Sequence, residues 1–318
     1  MRANLSILAA ILVAVAVSAA CSQAEGDDRA TATDLDSLRG TATSTSAEHR
    51  GAQNLPSTTS SATSSTTVAT LPPTTLPPPQ FPRFALSEYG ALIDVLVPTD
   101  TVVAPSLPIT GNPAADDRIR SRAEQRGYRL RPVSVVPMAA EGGVAVHPAM
   151  VGDLRALRDE ARRLGMVLDL TSGYRSPERQ RQIFEREFSE ESTRLRGRVV
   201  SPDEVASGAA DDVVDAVLEF HSIPGYSRHH SGFTIDFDAG GSLGEFEGSP
   251  AEVWLRADDF AVAKWFGFVP SYPRGSDPQG PQPEPWEYVH VGTGNIRCAA
   301  LHVPMQAPDA DRSCPLAQ

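Results

Sequence analysis

The stretch Ser227-Arg228-His229-His230-Ser231-Gly232-Phe233-Thr234-Ile235-Asp236 sets a histidine and an aspartate seven residues apart, with a glycine between them. About fifty residues further on, Trp286-Glu287-Tyr288-Val289-His290 supplies a second histidine and a glutamate. His229, Asp236 and His290 make a three-ligand set for a zinc ion whose fourth position stays open to water or substrate. Glu287 is then a non-ligand acid/base beside it. Those residue types describe a metallohydrolase. Gly232 matters because a glycine turn lets the backbone bring His229 and Asp236 to one point.

These side chains need rigid elements to hold them. Val151, Leu154, Leu157, Ala161 and Leu164 recur at three and four residues, which predicts one face of a helix closed by Gly165. Met166 to Leu170 reads as a short buried strand. Ser176-Pro177, Ser201-Pro202-Asp203-Glu204 and Ser249-Pro250-Ala251-Glu252 each put serine at an N-cap and proline at the first helical position. They predict helices near 177–190, 202–220 and 250–266, the last stopped by Gly267. Strands are expected at 233–238, 267–272 and 287–292. Helices and strands mix without strict alternation, so the expected class is α+β, a small antiparallel sheet flanked by helices and carrying the metal site.

The chain has 318 residues and a net charge of -12, with no basic stripe to neutralise phosphates, so nucleic acid is not an expected partner. Arginine carries nearly all the positive charge, and Lys264 is the only lysine. The first 21 residues read as an export signal: Arg2, an apolar run from Leu5 to Ala20, and small residues before Cys21. Small residues followed directly by cysteine look like the lipobox of bacterial lipoproteins, which implies lipidation of Cys21 and a membrane anchor. Residues 22–80 are rich in Ser, Thr, Ala and Pro and cannot bury enough apolar surface to offset ordering, so a disordered tether is expected. Residues 81–112 mix apolar runs with Pro and Gly, an extension expected to be irregular. The catalytic domain is expected over 113–297 and a tail over 298–318. With Cys21 lipidated, Cys298 and Cys314 are left as an even pair that can form a disulfide in an exported protein.

The pattern Ser227-x-His229-x-x-Gly232-x-Thr234-x-Asp236 resembles the zinc signature of D-alanyl-D-alanine carboxypeptidases of the VanY type, with Thr234 where alanine is usual. Ser172-Gly173-Tyr174-Arg175-Ser176, followed by Gln180, is similar to that family's second signature, and Glu284-Pro285-Trp286 to the start of its third, Glu-Pro-Trp-His. The resemblance covers roughly residues 115–295. It implies a zinc peptidase trimming peptidoglycan stem peptides next to a D-amino acid; the export signal and lipobox place it at the outer face of the cytoplasmic membrane as an expectation, and a monomer is expected. The resemblance also implies that Ser227 and Gln180 line the peptide pocket. The always-charged guanidinium of Arg175 is the candidate partner for the carbonyl oxyanion or a carboxylate.

The third motif departs from the family, since Glu287 stands where the histidine belongs. Two registers are open. In one, Glu284 is the acid/base and Glu287 has become the zinc ligand. In the other, Glu287 and His290 restore the Glu-x-x-His spacing three residues later. The second is the expectation, because it leaves an imidazole on zinc. It requires a bend or bulge between Glu287 and His290, since residues three apart in a regular strand face opposite sides.

Overall fold

The computed structural model describes residues 81–94, 100–104, 107–275 and 279–299. The expectations for Cys21, for the tether over 22–80 and for a Cys298–Cys314 disulfide lie outside the described residues and side chains.

The stretch 81–112, expected to be irregular, carries helix α1 (Leu86–Asp94) and strand β1 (Thr101–Val103). Helix α2 (Pro113–Gln125) follows, capped by the Asn112 side chain, which accepts from the Ala114 and Ala115 amides. Strand β2 (Pro132–Ser134) pairs antiparallel with β1, and β3 (Ala139–Glu141) forms a hairpin with β4 (Val144–Val146). Helix α3 (Val151–Arg163) buries Leu154, Leu157 and Ala161, the stripe visible in the sequence.

Strand β5 is Asp169–Ser172, three residues beyond its expected start. Met166 and Leu168 are buried as expected, but pairing begins only where Asp169 meets its partner Asp238. Helix α4 (Pro177–Arg196) outruns the predicted end and stops at Gly197, whose φ of 70° is the left-handed value that ends helices. The single helix expected over 202–220 is two, α5 (Pro202–Ser207) and α6 (Asp211–Leu218), because Gly208 turns left-handed at φ 82°. Strand β6 (Thr234–Asp238), short helix α7 (Leu243–Phe246), helix α8 (Pro250–Trp265), strands β7 (Phe268–Tyr272) and β8 (Glu284–His290), and helix α9 (Thr293–Ala299) complete the described chain.

Strands β5, β6, β8 and β7 form a four-stranded sheet in that order, every neighbouring pair antiparallel. The fold is α+β. One apolar cluster joins Ile235, Phe237, Phe268 and Tyr288 to α3, α8 and the residues of α1. A second gathers α2, α4, α5 and α6 around Ile119, Phe184 and Val213.

Helix α1 is held on the first cluster by a polar anchor at Asp259. Asp258, Asp259 and Phe260 interrupt α8 with φ between 49° and 58°, left-handed conformations rare for non-glycine residues. The Asp259 carboxylate accepts from the Tyr89 hydroxyl at 2.7 Å and the Phe84 amide at 3.1 Å. Lys264, the sole lysine, is buried against the same carboxylate and donates to the Pro82 carbonyl at 2.9 Å.

Alternation along the central strands sorts the side chains of the sheet. Ile235 opposes Tyr288 on the apolar side, and Asp236 opposes Glu287 on the other.

Candidate active site

His229 sits in a single 3-10 turn, Arg228–Ser231, which Ser227 opens by accepting from the His229 amide at 3.3 Å. Gly232 ends the turn at φ 77°, and a Cβ there would lie 2.8 Å from Met138 Sδ, so glycine is required for both reasons. His229 Nδ1 is 2.6 Å from the Gly173 carbonyl oxygen. A carbonyl only accepts, so Nδ1 carries a proton and Nε2 is the nitrogen left to face a metal. Gly173 is fixed by close approach: a Cβ would lie 2.2 Å from the Ala145 carbonyl oxygen. The Asp238 carboxylate accepts from the Thr171 hydroxyl at 2.8 Å and the Gly240 amide at 2.7 Å.

His229 Nε2 faces Asp236 Oδ2 at 3.4 Å and Glu287 Oε2 at 3.2 Å. One ligand atom from each of these three buried residues lies within 4.8 Å of the others. Asp236 Oδ1 is buried with no hydrogen-bond partner among the described residues. Two carboxylates and one imidazole, one oxygen of them orphaned, carry more negative charge than the local donors compensate. That donor set fits a zinc ion.

Burial opposes a charge on His229, but Asp236 and Glu287 outweigh it and raise the imidazole to about 9. Burial also works against an ionised Glu287, yet the hydrogen bond and charge of His229 hold it below the usual carboxylate range. Glu284 behaves oppositely. Burial, then the charge and hydrogen bond of Glu287, keep its carboxyl well above the ordinary value. The two adjacent carboxyls are thus shifted in opposite directions, Glu284 up and Glu287 down.

His290, expected as the third ligand, lies elsewhere. Pairing on both sides of β8 is regular from Glu287 to His290, so the bulge this role needed is absent and the two side chains face opposite ways. His290 opposes Phe268, its ring 5.0 Å away edge-on, and its Nε2 meets Asp153 Oδ2 of α3 at 2.8 Å. The irregularity falls earlier: Pro270 opposes Tyr288 whereas Tyr272 opposes Glu284, so β8 carries two extra residues there. Alternation breaks between Glu284 and Glu287, and both line one cavity. The register with Glu284 as the free carboxyl and Glu287 as the ligand-type group is the one with matching geometry.

That cavity, about 100 Å³, is bounded by Arg175, Ser227, Tyr128, Tyr272 and Trp286 together with the cluster. Arg175 Nη2 stands 4.0 Å from Asp236 Oδ2 and donates to Ser172 Oγ at 3.1 Å. Gln180, expected to line the peptide pocket, is fully buried. It accepts from Arg175 Nη1 at 3.0 Å and donates to the Ser222 carbonyl at 2.6 Å, so it orients Arg175 rather than meeting substrate.

Three residues near the site carried no functional signal in the sequence. His230 accepts from the Gly225 amide at 3.0 Å and sits 2.6 Å from the Arg175 carbonyl oxygen. Burial lowers it to about 3, so it is a neutral spacer pinning the Arg175 backbone. His221 lines the cavity with its Nε2 3.4 Å from Glu187. Ser271 donates to Glu287 from β7. Only a paired sheet could bring it there.

A buried His-Asp-Glu cluster with a further carboxyl beside it and a guanidinium at its rim defines a metallopeptidase-like centre. The family model for VanY, described as D-alanyl-D-alanine carboxypeptidase, matches residues 143–293. A D-alanyl-D-alanine carboxypeptidase of Enterococcus faecalis is 29% identical over 141 residues, 44% of this chain and 46% of that protein. YodJ of Bacillus subtilis is 30% identical over 144 residues, 44% of each chain. The chain therefore spans less than half the length of these curated relatives. Among solved structures, a vancomycin-resistance D,D-pentapeptidase VanY in complex with Zn(II) has a TM-score of 0.37 at 22% identity, covering 56% of this chain and 86% of that one. The LdcB LD-carboxypeptidase has a TM-score of 0.38 at 22% identity, covering 53% and 69%. The likeness to VanY-type peptidases thus lies in residues 143–293.

Proposed function

We propose that this chain is a zinc-dependent carboxypeptidase acting on peptidoglycan stem peptides that end in a D-amino acid. The carrying observation is the convergence of His229, Asp236 and Glu287 within 4.8 Å, with Glu284 and Arg175 lining the same cavity. His229, Asp236 and Glu287 would hold zinc. When bound, zinc supplies Lewis-acid chemistry, making water nucleophilic near neutral pH and polarising the scissile carbonyl.

The other roles belong to the protein. Glu284 takes the proton of the attacking water at its carboxylate and returns it to the leaving amine. Glu284 lines the same cavity as the three ligand-type residues. Arg175, steadied by Gln180 and Ser172, binds the anionic group of the substrate. The Arg175 guanidinium in the cavity wall supports a substrate with a terminal carboxylate, and so removal of a terminal residue over endopeptidase cleavage. The export signal and the lipobox-like Cys21 support a membrane-anchored protein at the outer face of the cytoplasmic membrane, with the 22–80 tether carrying the domain outward.

Mass spectrometry of purified muropeptides incubated with zinc-loaded protein tests this reading. Loss of one terminal residue is expected. Internal cleavage of cross-linked dimers would reassign it as an endopeptidase, and unaltered muropeptides that nevertheless bind would make it a wall-binding module. The altered Glu-Pro-Trp-Glu motif is the observation that favours the binding module; the retained Glu284 and Arg175 oppose it, because a binder has no use for an acid/base.

A further inference from the structure

A chain of buried polar groups reaches Glu287 from behind. Glu287 Oε2 faces His229, and its other oxygen, Oε1, accepts from the hydroxyl of Ser271. Ser271 is fully buried on β7. Its own hydroxyl oxygen and carbonyl lie 2.8 Å and 2.5 Å from Arg228 Nη1. The Arg228 guanidinium is itself buried, 4.0 Å from the centre of the Tyr272 ring, with Nη2 3.8 Å from Asp94 at the end of α1.

The direction of these bonds follows from the donors. A guanidinium only donates, so Ser271 Oγ must accept from Arg228. The single hydroxyl proton is then left for Glu287 Oε1. A glutamate has two equivalent oxygens and a longer stem than an aspartate, so by itself it would sample several orientations. Fixing Oε1 on a hydroxyl whose direction is set from behind leaves Oε2 turned toward His229 and Asp236. The turn that carries the ligand His229 also carries Arg228, which orients the opposite ligand.

We propose that Ser271 and Arg228 are positioning residues that hold Glu287 in the metal-binding orientation, with α1 closing the chain through Asp94. This rests on the proposed metal site, and the test separates the two. Zinc affinity is measured on metal-stripped full-length protein by competition with a chromophoric chelator, for wild type, Ser271→Ala, Arg228→Lys, the double variant and His229→Ala. Ser271→Ala should bind zinc about 10- to 100-fold more weakly, the usual effect of removing a group that orients a ligand. Arg228→Lys, which preserves the charge over Tyr272, should weaken binding less. The double variant should be no weaker than Ser271→Ala, because both act through one hydroxyl. Wild-type affinity in Ser271→Ala, or losses that add in the double variant, would overturn the proposal. If Ser271→Ala does not fold, Arg228→Lys carries the test, and unchanged affinity there overturns it equally. Wild-type affinity in His229→Ala would instead sink the metal site itself.

Discussion

Asp236 and Glu287 are directly opposed on neighbouring antiparallel strands, so their side chains leave the sheet on the same face a few ångströms apart. His229 then needs only to reach over that pair, which its glycine-ended turn allows. The third position of the cluster is thus set by strand register, and the Glu287 carboxylate there has a defined neighbour on each side: His229 at one oxygen and Ser271 at the other.

Glu284→Gln should retain zinc and lose most hydrolysis, about 10²- to 10⁴-fold in kcat, the usual contribution of a general acid/base. Elemental analysis and a muropeptide assay on the same preparation check both halves. Near-normal turnover would remove Glu284 from the chemistry.

Glu287→Ala and His290→Ala should behave oppositely. The first should lose zinc while remaining folded. The second should retain zinc but lower the unfolding midpoint, because His290 fills space beside Phe268 and bonds Asp153. Loss of metal in His290→Ala with retention in Glu287→Ala would restore the other register.

Gln180→Leu should leave zinc content unchanged and impair catalysis, since it releases Arg175 Nη1 without touching the cluster. A fall in kcat/KM of about tenfold to a hundredfold is expected from misplacing a group that must meet the reacting atoms. Activity equal to wild type would mean that Arg175 needs no such support.

Acid stability should depend on Glu187. Burial raises its carboxyl, but the hydrogen bond and charge of His221, then those of Arg186, outweigh this and bring it to about 2, below the ordinary 4.5. A carboxylate depressed in the folded state stabilises the protein above its unfolded pKa, and that contribution fades as pH falls from about 4.5 toward 2. Metal-free wild type should therefore lose stability more steeply over that window than metal-free Glu187→Gln. Parallel curves would make the pair energetically silent.

Lys264→Met should undock the segment 81–94. Without the ammonium, the Asp259 carboxylate is left largely buried and without its cation, a loss expected to cost about 3 kcal/mol or more. Limited proteolysis should then cut early between Phe81 and Asp94. Full resistance to cleavage would show that the apolar contacts of α1 suffice.

Much of this protein was legible along the chain. The helix stripe at Leu154, Leu157 and Ala161 and the serine-proline starts of α4, α5 and α8 depend on residues within a few positions of one another. The turn holding His229 and the strand entry at Asp236 are equally local, and so the sequence named them correctly as neighbours. The split between α5 and α6 is also written in the chain, at Gly208, whose left-handed φ ends α5.

The identity of the third ligand-type residue was not legible. Glu284, Glu287 and His290 are spaced by three, and Glu287 can share a face with either of the other two only if the strand is irregular between them. Where that irregularity falls depends on β7, a different strand, whose pairing slips between Pro270 and Tyr272 and not beyond Tyr288. The same pairing turned His290 into the apolar side, buried Gln180 behind Arg175 and brought Ser271 to Glu287. The sequence by itself determined which residue types could do the chemistry. The tertiary structure alone decided which of them meet, because side-chain direction in a sheet alternates with every residue and is fixed only by register with the neighbouring strand.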